Sequence, residues 1–117
     1  MRQKLLFVCS QNKRRSLTAE KLFAQSQYYD VRSAGTEQRA RVKLTEGMLG
    51  WADRVFVMER KHADRICQYF PDLAETKTVT ILDIPDDFTF MDEELIDILR
   101  HRLTAFIEFT DDDRHDG

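Results

Sequence analysis

Cysteine, proline and glycine are all scarce, at 2, 2 and 4 of 117 residues, and there is a single tryptophan. So few thiols exclude a disulfide scaffold and a four-cysteine zinc site, and point to a reducing compartment. So little glycine and proline leaves no flexible linker between domains. Long hydrophobic runs are missing too. Leu5 to Val8, the longest near the amino terminus, is far shorter than a membrane span or the core of a secretory signal. Together these absences predict a cytoplasmic protein with no membrane association. No internal repeat is present, which excludes a solenoid.

What is present is a chain 42% hydrophobic and 33% charged, with enough apolar material for one packed core. The expectation is a single domain over residues 1–110 and an acidic, solvated tail over 111–117. The formal net charge of −3 hides an asymmetry: residues 1–82 carry 15 Lys and Arg against 9 Asp and Glu, residues 83–117 only 3 against 12. Leu5-Leu6-Phe7-Val8, Val55-Phe56-Val57-Met58 and Val79-Thr80-Ile81-Leu82 are short apolar runs rich in β-branched or aromatic residues, as in strands buried on both faces. Asp30 to Ser33 adds a shorter strand. Ala19, Leu22 and Phe23, then Ala63, Ile66, Cys67 and Phe70, have helical spacing, and Leu95, Leu99, Leu103 and Phe106 recur behind a cap at Asp92. Strand alternating with helix predicts an α/β three-layer sandwich, a four-stranded parallel sheet with helices on both faces. Functional groups in such sheets gather at the carboxyl ends of the strands.

That rule singles out Cys9-Ser10-Gln11-Asn12-Lys13-Arg14-Arg15-Ser16, which begins where the first strand stops and ends where a helix starts. A strand-to-helix turn aims backbone N–H groups inward and adds the positive end of the helix, making an anion cradle. Cys9 at its base is a candidate nucleophile, because amides, dipole and neighbouring cations all favour the thiolate. Arg15 can bring a guanidinium fork back over a tetrahedral anion. Ser16 can donate its hydroxyl to the thiolate, and Asn12 tolerates the left-handed backbone of a tight loop without glycine. Ser10, Gln11, Lys13 and Arg14 complete the candidate phosphate-binding set.

Cys9 to Ser16 resembles the phosphate-binding loop of the low molecular weight protein tyrosine phosphatase family: Cys, five residues, Arg, then Ser or Thr. Three further stretches agree in order. Ser33-Ala34-Gly35-Thr36 matches the motif after the second strand, Ala52 to Glu59 is similar to the third strand and the turn beyond, and Ile84-Pro85-Asp86-Asp87-Phe88 resembles the loop bearing the general acid. The chain is thus similar to a short, bacterial-type member of that family. The resemblance implies a metal-free phosphomonoesterase without a cofactor, in which Cys9 forms a phosphocysteine, Arg15 binds the phosphoryl group and Asp86 is the acid and base. Asp83 and Asp87 remain alternatives to Asp86. The implied partner is a phosphorylated substrate, either a phosphotyrosyl protein or another phosphomonoester. Nucleic acid enters only as a substrate, since no aromatic-studded basic stripe is present.

The chain departs from the family pattern at several points. Asp87 replaces the proline after the acid, Arg14 stands where many relatives carry a second loop cysteine, and Leu17 stands where a proline often opens the helix. The stretch from Thr36 to Arg41 lacks a helix and the variable loop that walls the cleft, which predicts an open pocket walled by Phe88 and Phe90 and rimmed by Lys13, Arg14, Arg39 and Arg41. Such a mouth suits larger or more anionic phosphomonoesters. Cys67, Trp51 and Phe56 are expected in the core, and His62, His101 and His115 on solvent-facing helix or tail positions without metal-ligand spacing. Two other activities compete: a phosphate-binding module with little turnover, and a thiol-dependent arsenate reductase, for which Cys67 is the only second thiol.

Overall fold

A computed structural model of the protein describes residues 2–107. Its elements run β1 (Gln3–Cys9), α1 (Arg15–Leu22), β2 (Tyr29–Gly35), α2 (Glu46–Trp51), β3 (Arg54–Val57), α3 (Arg60–Tyr69), α4 (Pro71–Thr76), β4 (Thr78–Ile81) and α5 (Glu93–Leu103). The four strands form one parallel sheet in the order β2-β1-β3-β4. Alternation along β1 builds two cores. Leu5, Phe7 and Cys9 face Ala19 of α1 and Leu95, Leu99 and Leu103 of α5. Leu6 and Val8 face Leu49 of α2 and Ile66 of α3, with Leu73 and Ala74 of α4 packed against them. The predicted three-layer α/β architecture is the observed one.

This topology decides where the site sits. The chain leaves β1 toward β2 on one side and returns to β3 on the other, so a crevice opens beyond the carboxyl end of β1. The Cys9 loop occupies that crevice.

Several local expectations differ from the structure. Strand β2 continues beyond Ser33 because its pairing with β1 extends to Cys9 opposite Gly35, and backbone pairing leaves little trace in hydrophobicity. Helices α2 and α4 have six residues each, too short to show periodicity; Thr45 caps the first and Pro71 opens the second. Phe106 lies beyond the end of α5 and is 41% exposed, while Ile107 closes the core in its place. Cys67 is exposed rather than buried, because Ile66 fills the core position on α3 with Ala63 and Phe70 beside it. Phe56 is buried and Trp51 half-buried. His101 is exposed, as expected. His62, expected to face solvent, is fully buried. His115 and the acidic tail lie outside the described residues.

Candidate active site

Cys9 ends β1, and residues 10–14 carry the chain to the first turn of α1. No side chain caps that helix at Arg14, so its first N–H groups are left for the cradle. Asn12 sits at φ 59°, in the left-handed region reserved for it by the sequence reading. Donors converge on the Cys9 sulfur: the Asn12 backbone N–H at 3.3 Å and the Ser16 hydroxyl at 2.9 Å. Asn12 Nδ2 donates to Ser16 Oγ at 2.7 Å, so Ser16 keeps its own hydrogen to donate, with the Cys9 sulfur at 2.9 Å nearer than its other acceptor, the Ala34 carbonyl at 3.4 Å. Cys9, Asn12, Arg15 and Ser16 are all buried.

The loop rests on the end of β2. Thr36 N–H donates to the Cys9 carbonyl, Glu37 N–H to that of Ser10 and Arg41 N–H to that of Gln11. Gly35 permits this approach, since a Cβ there would lie 2.5 Å from the Ser10 carbonyl oxygen and 2.7 Å from Ala40 Cβ. Arg41 also donates from Nε to the Asn12 carbonyl at 3.1 Å, so it braces the loop as well as adding charge to the rim. Arg39 is exposed on the same turn.

Arg15 is 1% exposed, a buried cation that must be paired. Its Nη1 donates to the Glu59 carboxylate at 2.5 Å and to the Ile84 carbonyl at 2.7 Å. Both Nη1 hydrogens are thereby used, and Nε and Nη2 remain as a fork for an anion. Burial acts to raise the pKa of Glu59, but the hydrogen bond and charge of Arg15 outweigh it and hold the carboxyl below its usual value of 4.5. Behind Glu59, His62 and Glu59 form a reciprocal cap on α3, in which Glu59 N–H donates to His62 Nδ1 at 3.0 Å. His62 Nε2 lies 2.9 Å from Ser10 Oγ. Burial, reinforced by the charge of Arg15, lowers the pKa of His62 from 6.5 to about 4.

Of the three candidate acids, only Asp86 reaches the cradle, where it lines the cavity with Cys9, Ser10, Gln11, Lys13, Arg14 and Arg15. Its Oδ1 stands 3.7 Å from Arg15 Nε and 4.0 Å from Arg14 Nη1. Asp83, at φ 55°, lies instead against Glu59, Arg60, Lys61 and Pro85. Asp87 is exposed and lines no part of the cradle. A roomier groove of about 340 Å³, lined by residues that include Lys43, Arg65 and Tyr69, holds cations but neither nucleophile nor acid.

No protein-family model and no curated protein matches the chain. Solved structures do match it. The tyrosine phosphatase AmsI of Erwinia amylovora superposes with a TM-score of 0.73 at 21% identity, over 91% of each chain. A low molecular weight protein tyrosine phosphatase of Streptococcus pyogenes gives 0.73 at 15% identity, over 91% of this chain and 94% of that one. The arginine phosphatase YwlE of Geobacillus stearothermophilus gives 0.65 at 24% identity, over 92% and 99%. The fold is that of the low molecular weight tyrosine phosphatases.

On this phosphatase fold the loop residues read from sequence come together as one cradle, but neither Phe88 nor Phe90, the aromatics expected to wall it, lines the cavity. Phe88 is half-buried against the core of Leu5, Phe7 and α5, where its ring gains more from burial than at the mouth, and Phe90 is 45% exposed without lining the cradle. Two site residues escaped the sequence reading, Glu59 as partner of Arg15 and His62 as partner of Ser10. A trace of both is present in the Glu-x-x-His spacing at the strand-to-helix junction, the pattern of a capping box. Among the described residues, no group of three or more His, Cys, Asp or Glu side chains is placed to hold a metal ion, and no helix is long and apolar enough to cross a membrane.

Proposed function

We propose that this protein is a phosphomonoesterase, of the protein tyrosine phosphatase type, that works through a phosphocysteine on Cys9. The observation that carries the reading is the convergence of three features in one small cavity: donors on the Cys9 sulfur, a half-used Arg15 guanidinium, and Asp86 opposite. Cys9 Sγ attacks phosphorus as the P–O bond to the leaving group breaks, and Asp86 delivers a proton to the departing oxygen. Arg15 Nε and Nη2, with the N–H groups of the loop and of the first turn of α1, hold the equatorial oxygens as negative charge spreads over them. Water then attacks the phosphocysteine, Asp86 takes its proton, and the thiolate is restored. Lys13 and Arg14 at the mouth draw in the dianion. Such a step needs no metal, because the cradle's own cations and amides neutralise the developing charge.

A mouth lined by neither Phe88 nor Phe90 supports substrates beyond phosphotyrosine, and the solved structures of this fold carry both tyrosine and arginine phosphatases by name. The test is hydrolysis of an aryl phosphate, a phosphotyrosyl peptide and phosphoarginine across pH by wild type, Cys9→Ser and Asp86→Asn. Cys9→Ser is expected to lose turnover entirely, and Asp86→Asn to lose about 10²-fold or more with poor leaving groups and less with good ones. An active Cys9→Ser protein refutes covalent catalysis. Phosphate binding without turnover in the wild type favours the binding-module reading. Arsenate reductase chemistry needs a second thiol at the cradle, and Cys67 is exposed on α3 outside the cradle lining.

A further inference from the structure

Ser10 is the one cradle residue whose side chain is tied to a buried histidine. The His62 ring has no freedom of role: Nδ1 accepts the Glu59 N–H at 3.0 Å, so Nδ1 carries no proton. The neutral ring therefore carries its hydrogen on Nε2 and donates it to Ser10 Oγ at 2.9 Å. Ser10 Oγ is thereby an acceptor toward His62, and its own hydrogen is left for the cavity that Ser10 lines with Cys9 and Arg15. Protonating His62 would put a hydrogen on Nδ1, where the Glu59 N–H now donates, and so break the cap of α3 that holds the ring against Ser10. Its surroundings oppose that: burial and the Arg15 charge, with Lys61, outweigh Glu59 and Asp86 and lower its pKa to about 4.

We infer that His62 is a positioning residue that fixes the Ser10 hydroxyl as a hydrogen-bond donor to the phosphoryl oxygens, or any tetrahedral oxyanion, held in the cradle. The inference deepens the phosphatase reading and rests on it for catalysis, but its binding half does not need turnover. Because the Glu59 side chain grips Arg15 while its N–H sets the His62 ring, one turn of α3 orients two donors of the cradle, the guanidinium and the hydroxyl. The α3 amino terminus thus acts as a template for the loop as well as packing against the sheet.

The test measures binding of inorganic phosphate by titration calorimetry, and kcat and KM for an aryl phosphate, in wild type, Ser10→Ala, His62→Leu, His62→Gln and the Ser10→Ala/His62→Leu double variant. Ser10→Ala and His62→Leu are each expected to weaken phosphate binding and lower kcat/KM by about 10-fold or more, the loss of one charge-assisted hydrogen bond. The double variant is expected to lose no more than the larger single loss, because the two residues act through one bond. Glutamine at position 62 can accept the Glu59 N–H and donate to Ser10, so His62→Gln restores most of what His62→Leu loses. Wild-type phosphate affinity in Ser10→Ala, or losses that simply add, overturns the inference even if the enzyme is an active phosphatase. If His62→Leu fails to fold, Ser10→Ala and His62→Gln still decide it. A wild type that binds phosphate but never turns over, with these binding losses intact, upholds the inference and refutes the phosphatase reading.

Discussion

Replacing Gly35 with alanine adds one methyl group 19 positions beyond Ser16, the last residue of the Cys9 loop, yet it is expected to damage the cradle directly. An alanine Cβ would lie 2.5 Å from the Ser10 carbonyl oxygen, 2.7 Å from Ala40 Cβ and 3.0 Å from Asn12 N. Comfortable contact needs about 3.5 Å, so the first two neighbours must each retreat by roughly 0.8 to 1 Å. Neither is the end of a flexible side chain. The Ser10 carbonyl is held by Glu37 N–H, and Asn12 carries the N–H aimed at the Cys9 sulfur. Overpacking of this kind costs about 1–3 kcal/mol, and displacing a catalytic loop by about 1 Å lowers turnover by roughly 10²-fold. Thermal unfolding of Gly35→Ala should shift down by about 4 °C or more for each kcal/mol lost, and kcat/KM on an aryl phosphate should fall about 100-fold. A variant with wild-type melting temperature and wild-type kcat/KM would refute the steric reasoning.

Three other outcomes are expected. Glu59→Gln takes the carboxylate from buried Arg15, so stability should fall by about 1–3 kcal/mol in urea unfolding and phosphate binding should weaken as the guanidinium loses its fixed orientation; unchanged binding would separate Glu59 from the site. His62 titrates at about 4 in the folded chain against 6.5 when unfolded, so between those values only the unfolded chain takes up the proton. Its stabilisation is therefore complete above about pH 6.5 and is lost as pH falls toward 4, by roughly 3 kcal/mol in all. Glu59, held below its usual value, adds a loss in the same direction at lower pH. Urea midpoints from pH 7 to 4 should show this slope and His62→Gln should flatten it, whereas a level wild-type profile contradicts a neutral buried ring. Finally, Asp83→Asn and Asp87→Asn should stay within about 3-fold of wild type on a substrate with a poor leaving group, since neither carboxylate lines the cradle.

The sequence by itself determined the layered architecture and the loop chemistry. Leu5 to Val8 and Val55 to Met58 are legible as strands because burial on both faces forces an unbroken apolar run, and that signal is local. The Cys9 to Ser16 loop is legible because an anion site built from a strand end and a helix start uses consecutive residues. Even Asn12 is predictable, since a left-handed turn without glycine narrows the choice at that position.

Only the tertiary structure decided which groups complete the site from elsewhere in the chain. Glu59 and Ile84 share Arg15 across 44 and 69 residues, and His62 reaches Ser10 across 52. Such pairs depend on the parallel crossing of β1 and β3, which brings the start of α3 beside the loop, and no periodicity records that juxtaposition. His62 shows the cost of reading a polar residue by type alone: histidine on a helix suggests solvent, yet two hydrogen bonds make complete burial tolerable. The different placements of Asp83, Asp86 and Asp87 have the same cause. Three carboxylates within five residues are equivalent as letters, and the path of the loop after β4 brings Asp86 alone of the three to the lining of the Cys9 cradle.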